Sequence, residues 1–393
     1  MDTDKSARDE SQKRRRDAGV TKLHERGECG LDFESPLEQT SKSSAKSATL
    51  PAPTREVRVG PAGWSYTDWA GYVYPTRRPK GFHEATYLAQ FFDTIEINTS
   101  FYGPMRADHA KLWVERVAAN PRFLFTAKLW QKFTHEPVST REDERIVREG
   151  FDVLRAAGKL GAVLAQFPFS FHRSAENVVG LTVLLQRFAD YPMAVELRHA
   201  SWNVPETYAL LSEHGAAFCN IDQPIIGRSI EPRDFPIGAE GKIQRRGAES
   251  AEGRGEIDPG EEFDPGLPEE GRATPEKSEI APIGYVRLHG RRYDTWFSDD
   301  PAMPPFERYN YLYSTEELAP WAGRVRNESA VAQKVFAVTN NHYLGKGVVN
   351  ALQLLSMLKG AKVNVPDPLR VKYPELEKIA DLPPERPTLF PMG

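Results

Sequence analysis

The sequence predicts a closed (β/α)8 TIM barrel, and three observations support this prediction. Eight apolar runs have the length of β-strands, and helical patterns separate most of them. Alternation of strand and helix is typical of a parallel sheet. Residues 57–359, less an acidic insertion at about 226–282, leave about 245 residues, close to the roughly 250 of such a barrel. A doubly wound open sheet is the alternative, but no glycine-rich dinucleotide turn follows the first run.

The eight predicted strands are short runs of aliphatic and aromatic residues. They are VRVG (57–60), TIEIN (94–98), FLFTAKL (123–129), AVLAQF (162–167), MAVELR (193–198), AAFCNI (216–221), YVRLH (285–289) and VFAVTN (335–340).

The helices are predicted from spacing and from their start signals. Apolar residues repeat at helical spacing over 110–117 and over 318–325. Ser314 and Glu317 predict a capping box before the second of these helices, and Asn203 begins a similar pair. No helical pattern follows the sixth strand, where the acidic insertion stands instead.

Three segments lie outside the predicted single barrel domain at 56–360. Two of them are polar and poor in aromatic residues, which predicts disorder: residues 1–55 and residues 239–279. The second lies within the insertion at about 226–282. The insertion carries eight basic and fourteen acidic side chains, so the rest of the chain is close to neutral. Residues 361–393 form a predicted C-terminal extension with a proline-rich end.

Composition excludes several classes of protein. No segment approaches the roughly 18 continuous apolar residues of a membrane span. We therefore expect no membrane partner and a cytoplasmic location, with the basic run KRRR (13–16) as a nuclear alternative. A net charge of -4 argues against a wholly basic nucleic-acid-binding protein. Cys29 and Cys219 give neither a zinc spacing nor a disulfide framework, and Cys219 is predicted to be core.

Polar residues on the predicted strands fall on the face that a barrel turns inward. In YVRLHG, Tyr285, Arg287 and His289 share one side. Placing aliphatic residues outward brings a polar set to the C-terminal rim, where barrel active sites lie. The other members are Glu96, Asn98, Lys128, Gln166, Glu196, Arg198 and Asn340 or Asn341. The sixth strand would add Asn220 and Asp222, but its register is ambiguous.

Two interpretations of this polar set are open. Glu96 and Glu196 could pair with Arg287 and Arg198 and fill the barrel with a structural network, although buried pairs give little net stability. The set could instead form a ligand site. Polar groups from six strands at one end favour the ligand site, because such groups cluster where chemistry occurs.

Aromatic residues and a glycine-lysine pair extend the predicted site. Aromatic side chains after several strands suit a planar or sugar-like ligand. They are Trp64, Tyr66, Phe101, Tyr102, Trp130, Trp202, Tyr293 and Trp296. Gly345 and Lys346 stand at a helix start that could hold an anion such as phosphate, and an ordinary helix entry explains them equally well.

A metal site is less well supported. Carboxylate and imidazole groups of the polar set could converge on a divalent ion. The candidates are Glu96, Glu196, His289, His199 and Asp222. The interleaved cations Lys128, Arg198 and Arg287 would repel a metal, so no metal ligand is assigned and the cofactor stays unknown.

Seven ordered motifs resemble the YecE-like family, also called domain of unknown function 72. They are PAGWSYTDWAGYVYP, FFDTIEINTSFYGP, FTAKLWQKFTHE, VELRHASW, YVRLHGR, YSTEELAPWA and TNNHYLGKGVVNAL, and they cover roughly residues 57–359. The resemblance implies a TIM-barrel fold and no established activity. Departures from the family pattern are mild, at Ala62, Leu197 and Thr339, and the long insertion departs most.

The resemblance also marks positions that this sequence keeps. They are Trp64, Glu96, Asn98, Phe101, Tyr102, Lys128, Thr134, His135, Glu196, Arg198, Trp202, Arg287, His289, Gly290, Asn340, Asn341 and Asn350. None of the departures removes a charged group.

The first functional hypothesis is an enzyme of undetermined reaction that binds a small anionic ligand, phosphate-bearing or nucleotide-like. His289 would shuttle a proton, Glu96 or Glu196 would orient it or act as base, and Lys128 would join the catalytic set. The predicted ligand-binding residues are Arg198, Arg287, Asn98, Asn340, Asn341, Trp64, Tyr102, Trp130, Trp202, Gly345 and Lys346.

Two alternatives belong to other classes. One is a nucleic-acid-binding module that contacts phosphates and stacks bases without catalysis. The other is a scaffold barrel whose function lies in its insertion and tails. The sequence leaves the oligomeric state open.

Overall fold

The computed structural model of the protein describes residues 56–136, 138–233, 281–298 and 300–381. These residues include eight strands of one parallel sheet that curls into a nearly closed barrel, with helices between the strands. This confirms the predicted (β/α)8 barrel and all eight predicted strands. The predicted disordered tail and nearly all of the predicted disordered insertion lie outside the described residues.

The strands and helices follow one another along the chain. The strands are β1 (Glu56–Pro61), β2 (Thr94–Ile97), β3 (Leu124–Lys128), β4 (Leu160–Gln166), β5 (Met193–Glu196), β6 (Ala217–Asp222), β7 (Ala281–Leu288) and β8 (Ala332–Thr339). The α-helices are α1 (Glu84–Leu88), α2 (Ala107–Arg116), α3 (Arg141–Ala156), α4 (Ala175–Arg187), α5 (Pro205–Glu213), α6 (Thr315–Val331), α7 (Lys346–Lys359) and α8 (Asp367–Lys372).

Short 3-10 helices follow most of the strands at the carboxyl end of the barrel. They are Thr67–Trp69, Thr99–Phe101, Gln131–Phe133, Ala200–Trp202, Pro305–Tyr309 and Tyr343–Gly345, and another, Pro374–Lys378, follows α8.

The barrel closes where β1 approaches β2. The hydrogen-bonded order runs β1-β8-β7-β6-β5-β4-β3-β2. Ala62 and Glu96 form an isolated parallel bridge across the remaining gap, and the Gly63 N–H donates to the Glu96 carbonyl at 2.8 Å. At Gly60, a Cβ would stand 2.0 Å from the carbonyl oxygen of Thr94. Only a residue without a side chain permits this approach.

The register of β6 places its polar residues outside the barrel. In parallel ladders, paired residues share a face of the sheet. Tyr285 pairs with Cys219, so Cys219 is a buried interior residue, as predicted. Asn220 and Asp222 alternate with the interior residues and face the helices. Asn220 accordingly bonds to the backbone of Arg233, which lies outside the barrel interior.

The two asparagines after β8 point in opposite directions. Arg287 pairs with Val338, so alternation carries Asn340 to the interior and Asn341 to the helix side. Asn341 Nδ2 donates to the Tyr311 carbonyl at 2.8 Å and to Asn350 Oδ1 at 2.7 Å. Asn341 therefore ties the loop before α6 to helix α7.

One predicted helix start is confirmed and one is wrong. At α6, Ser314 Oγ accepts from the Glu317 N–H at 3.2 Å, and the Glu317 carboxylate accepts from the Ser314 N–H at 2.9 Å. Helix α5 instead begins after Val204, with Pro205 in its first turn. Pro205 is preorganised for a first helical position, which shifts the start past Asn203.

The connection after β6 and the chain after α7 both lie against the barrel. Within the described residues 223–233 no helix follows β6. There the Ile230 N–H donates to the Arg198 carbonyl at 2.8 Å, and Ile230 is buried. Beyond α7, Leu369 is buried and the Tyr373 hydroxyl donates to the Leu344 carbonyl at 2.9 Å. The first part of the C-terminal extension is thus packed structure.

Among the described residues, no helix combines the length and the apolar character that crossing a membrane would require.

We predict that Gly60→Ala destabilises the protein by about 3 kcal/mol, because its Cβ would force β1 away from β2 at the barrel seam. Chemical denaturation measures the effect. Gly180→Ala is the matched control, since Gly180 lies on the exposed face of α4 and a Cβ there would meet no atom within 4 Å. That substitution should stabilise the protein slightly. Equal stability of the two variants would contradict the account of the seam.

Candidate functional site

Arg287 is the centre of a polar cluster inside the barrel. Its Nη1 donates to Glu196 Oε2 at 2.5 Å and its Nη2 donates to Glu96 Oε1 at 2.7 Å. All three side chains are fully buried. The guanidinium therefore joins β2, β5 and β7 across the interior.

The carboxylate of Glu96 also accepts a hydrogen bond from an uncharged donor. The Tyr285 hydroxyl lies 2.9 Å from Glu96 Oε2 and 2.8 Å from Thr126 Oγ1. Because the Glu96 carbonyl holds the Gly63 N–H, this one residue connects the cluster to the seam between β1 and β2.

Glu196 is shared by two guanidiniums. Arg198 donates to Glu196 Oε1 from Nε at 2.8 Å and from Nη2 at 2.6 Å. Burial alone would raise the pKa of Glu196, but Arg287 and Arg198 outweigh burial and hold that pKa well below its usual range. Glu196 is thus an anion at neutral pH, held by two guanidinium groups.

His289 is neutral and held in place by its neighbours. Burial is the main cause that lowers its pKa to about 3. Asn340 Nδ2 lies 3.1 Å from His289 Nδ1, and because the amide nitrogen donates, Nδ1 accepts. The other ring nitrogen, Nε2, lies 3.5 Å from Glu196 Oε1 and 3.4 Å from Arg287 Nη1. His289 is completely buried, so its ring is surrounded by protein groups and not by solvent.

Lys128 is the cation of the cluster that lacks a carboxylate partner. It is 9% exposed, and within the described part of the chain its ammonium makes neither an ion pair nor a hydrogen bond. The Nζ atom lies 5.2 Å from the centre of the Phe101 ring. Burial, and next the nearby charge of Arg287, lower the pKa of Lys128 to about 8.

A cavity of about 400 Å3 opens at the carboxyl end of the barrel beside β1, β2, β3 and β8. This volume suits a small organic ligand. Lys128 reaches it from below, and aromatic and amide side chains form its walls. The lining residues are Gly63, Trp64, Ser65, Tyr66, Asn98, Thr99, Tyr102, Trp113, Lys128, Tyr309, Asn340 and His342.

The cavity contains some of the predicted site residues. They are Trp64, Asn98, Tyr102, Lys128 and Asn340. Arg287, Glu96, Glu196 and His289 meet beneath it, and Arg198, with its side chain 19% exposed, borders the same cluster.

Other predicted residues lie elsewhere. Trp202 is fully buried, where its Nε1 donates to the Phe171 carbonyl at 2.7 Å. Trp130 is half-buried beside Lys132. A Cβ on Gly345 would meet Val73 at 2.6 Å, so the start of α7 is packed against apolar side chains. Lys346 Nζ donates to Asn310 Oδ1 at 2.5 Å. None of these residues lines the cavity.

The sequence did not single out three aromatic residues of the cavity wall, which are Trp113, Tyr309 and His342. His342 stacks on Tyr66 with ring centres 4.4 Å apart, and Tyr309 lies 5.1 Å from His342. Burial lowers the pKa of His342 to about 4, so it is neutral. His342 directly follows the asparagine pair in TNNH, which could have signalled it. Tyr309 comes from a long loop whose path no local pattern specifies.

Two buried polar atoms of the cavity-lining residues have no hydrogen-bond partner in the described structure. They are Asn98 Oδ1 and His342 Nδ1. The amide nitrogen of Asn98 donates to the Tyr66 hydroxyl at 3.3 Å, and that hydroxyl donates to the Ala62 carbonyl at 2.9 Å. The Asn98 amide is therefore oriented, and its oxygen remains able to accept a hydrogen bond.

The residues considered as metal ligands are otherwise engaged. Arg287 bridges Glu96 and Glu196, and Arg291 Nε contacts Asp222 Oδ2 at 2.9 Å on the outer face. Within the described ranges, no group of three or more histidine, cysteine, aspartate or glutamate residues could hold a metal ion.

We predict that Arg287→Ala lowers the free energy of unfolding by about 3–5 kcal/mol at pH 7, because two carboxylates would stay buried without their shared partner. The loss should shrink towards pH 5. Wild-type Glu196, with its lowered pKa, keeps its contribution to stability over this range and loses it only at lower pH, whereas carboxylates left without Arg287 gain stability when protonated. Denaturation at both pH values measures this.

Arg145→Ala is the control for this substitution. Arg145 is 60% exposed on α3 and pairs with Glu142 and Glu149. Exposed pairs contribute about 1 kcal/mol or less. A loss from Arg287→Ala as small as that of Arg145→Ala, or one independent of pH, would contradict the buried bridge.

Comparison with known proteins finds a family model and a relative that each match most of this chain. The family described as "Protein of unknown function DUF72" matches residues 58–373. The UPF0759 protein YunF of Bacillus subtilis is 27% identical over 315 residues, which cover 77% of this chain and 94% of YunF.

Solved structures agree with this match. The crystal structure of a DUF72 family protein from Thermotoga maritima is 28% identical, with a TM-score of 0.58 over 77% of this chain and 99% of that protein. One from Enterococcus faecalis, at 23% identity and a TM-score of 0.57, covers 77% of this chain and 95% of its own, and supports the fold alone. These matches confirm the resemblance stated from the motifs, and the chain belongs to the DUF72 family of proteins of unknown function.

Proposed function

We propose that this protein is an enzyme that binds a small anionic ligand, phosphate-bearing or nucleotide-like, in the cavity at the carboxyl end of the barrel. The observation that carries the proposal is Lys128, a buried cation that lines the cavity and has no carboxylate partner. A buried charge without a counter-charge is costly, and a bound anion would supply the missing partner.

The charges of the cluster support the same conclusion. Three cations, Lys128, Arg198 and Arg287, stand against two carboxylates, Glu96 and Glu196, and His289 is neutral. The cluster therefore carries one excess positive charge. Because Arg287 and Arg198 are both bound to carboxylates, the excess is available at Lys128.

The remaining walls suit the rest of such a ligand. Asn98 and Asn340 offer amide groups, and Trp64, Tyr66 and Tyr102 offer ring faces and edges for a planar group. His289 does not line the cavity but contacts Asn340, whose amide it orients, so we assign it a positioning role. Lys128, with its pKa of about 8, is the group best suited to exchange a proton with a ligand.

A nucleic-acid-binding function has one observation in its favour. Tyr102 and Tyr293 are 74% and 55% exposed at the rim, where they could stack bases. The nearby arginines are engaged, however: Arg291 binds Asp222, and Arg292 binds Asp294. We favour the small ligand, and oligonucleotide binding that falls steeply with salt would reverse this preference.

We predict that Lys128→Met weakens binding of AMP and inorganic phosphate by about tenfold or more, since a charge-assisted contact contributes about 1.5–3 kcal/mol. The substitution should not lower the melting temperature, because it removes a buried charge that has no partner. Titration calorimetry measures binding. Lys132→Met is the control, since Lys132 pairs with Glu136 at 3.0 Å outside the cavity.

Failure of the wild-type protein to bind either probe, or equal affinities of wild type and Lys128→Met, would contradict the proposed anion site. Catalysis is tested separately on phosphoester, nucleotide and sugar-phosphate panels. We expect the wild-type protein and Lys132→Met to turn over a substrate and Lys128→Met to have lost this activity. The same absence of turnover in wild type and Lys128→Met would contradict the catalytic part of the proposal.

We also predict that AMP affinity falls by about tenfold or more between pH 7 and pH 9.5. The ammonium of Lys128 is populated below its pKa of about 8 and is lost above it, whereas the phosphate charge is already close to complete at pH 7. Calorimetry at several pH values gives the profile. A flat profile in wild type would mean that Lys128 does not hold the anion.

A further inference from the structure

We propose that the neutral amine of Lys128 is a nucleophile that forms an imine with the carbonyl group of an anionic aldehyde or ketone. This inference deepens the proposed function and rests on it, because the anionic group is what would bring the carbonyl compound into the cavity. It names a substrate class: small oxo compounds that carry a phosphate or a carboxylate.

The first support is the isolation of the Lys128 side chain. Other lysines near the rim have hydrogen-bonding partners: Lys132 pairs with Glu136 at 3.0 Å, and Lys346 donates to Asn310 at 2.5 Å. Lys128 contacts the face of Phe101 and the cavity instead. Glu96 and Glu196 favour the charged form from a distance, but no carboxylate in the described structure lies within ion-pair distance of the ammonium. The amine can therefore lose its proton without breaking an ion pair.

The second support is electrostatic. Burial and the charge of Arg287 lower the pKa of Lys128 to about 8, so before an anion binds the amine is neutral in roughly a tenth of the molecules at pH 7. An ordinary lysine, with a pKa near 10.4, is neutral in fewer than about one molecule in a thousand. Desolvation and a neighbouring cation are the two ways in which proteins activate a lysine amine.

The reaction balances with the groups of the cavity. The Nζ lone pair adds to the carbonyl carbon, and one of the two protons on the nitrogen moves to the carbonyl oxygen to give a neutral carbinolamine. The carbinolamine then loses its hydroxyl and the nitrogen proton as one molecule of water, which leaves the imine. Protonation of the imine nitrogen restores the positive charge that the cluster carries when Lys128 is an ammonium.

The walls of the cavity suit this intermediate. Asn98 Oδ1 has no partner and is oriented by the bond between its amide nitrogen and Tyr66, so it can accept from the carbinolamine hydroxyl. The rings of Trp64 and Trp113 meet edge to face at 5.1 Å on one side of the cavity. These rings make that side of the cavity apolar, which disfavours the water that would hydrolyse the imine.

The experiment traps the imine by reduction. The full-length protein is incubated with glyceraldehyde 3-phosphate and sodium cyanoborohydride, which converts an iminium to a stable secondary amine, and peptide mass spectrometry locates the adduct. We expect Lys128 to be labelled at least about tenfold faster than Lys132 and Lys346. Glycerol 3-phosphate, which has the phosphate but no carbonyl group, should protect Lys128.

A variant and a second probe separate this inference from the anion site. Lys128→Arg keeps a positive charge but has no amine, so it should lose the adduct and retain glycerol 3-phosphate binding. Glyceraldehyde, without the phosphate, should label Lys128 more slowly in the wild-type protein. This comparison needs no variant and remains decisive if Lys128→Arg does not fold.

Two outcomes overturn the inference in distinguishable ways. In the first outcome, wild-type protein binds glycerol 3-phosphate, but Lys128 is labelled no faster than Lys132. Lys128 would then not be a nucleophile, and the proposed anion site would stand. In the second outcome, glyceraldehyde labels Lys128 as rapidly as glyceraldehyde 3-phosphate does, and glycerol 3-phosphate does not protect the lysine. Lys128 would then still be a nucleophile, but the substrate would not need to be anionic, and the proposed function would be wrong.

Discussion

The bridge from Arg287 to Glu96 and Glu196 is the interaction on which the interior of this barrel depends. Three fully buried charged groups from three strands are costly to remove from water, and the cost is offset only when all of them meet with good geometry. The bridge therefore constrains the distances between β2, β5 and β7. Such a network gives the barrel a particular interior shape more than it gives net stability.

The same bridge fixes the environment of the cavity. Glu96 joins the network through its side chain and the barrel seam through its backbone, where it holds the loop that contains Gly63 and Trp64. Asn340 reaches the cavity from the far side and is oriented by His289, which lies against Glu196. The walls on both sides are thus connected to the buried charges below, and a ligand would meet a largely preformed site.

The sequence predicts the fold well because the fold depends on local regularities. Apolar runs of strand length occur eight times, helical patterns separate most of them, and each strand was found where such a run occurs. The sequence also predicts which strands carry inward polar groups, because strong aliphatic residues such as Val286 and Leu288 mark the outer face. Where small residues remove that contrast, as in β6, the register is ambiguous, and Asn220 proved to face outward.

Pairing and loop geometry are harder to predict from the sequence. The sequence predicts that the polar side chains of four residues face inward, namely Glu96, Glu196, Arg198 and Arg287. It does not predict that these residues form ion pairs with one another and that Lys128 has no carboxylate partner, because pairing depends on distances between remote strands. Asn340 and Asn341 are adjacent and identical, and only the register separates a cavity residue from a structural one. Tyr309 lies on a long loop, so its place in the cavity wall depends on tertiary packing.

The isolation of Lys128 is itself a consequence of Arg287. Glu96 and Glu196 are close enough to influence Lys128 and would favour its charged form, whereas Arg287 both opposes that charge and occupies the carboxylates. If Arg287 were absent, either glutamate could become the partner of the ammonium, and the pKa of Lys128 would rise towards its ordinary value. A barrel selected only for stability would gain by pairing or removing this lysine. An arrangement that keeps a lysine buried, unpaired and directed at a cavity is therefore better explained by chemistry in the cavity than by the fold.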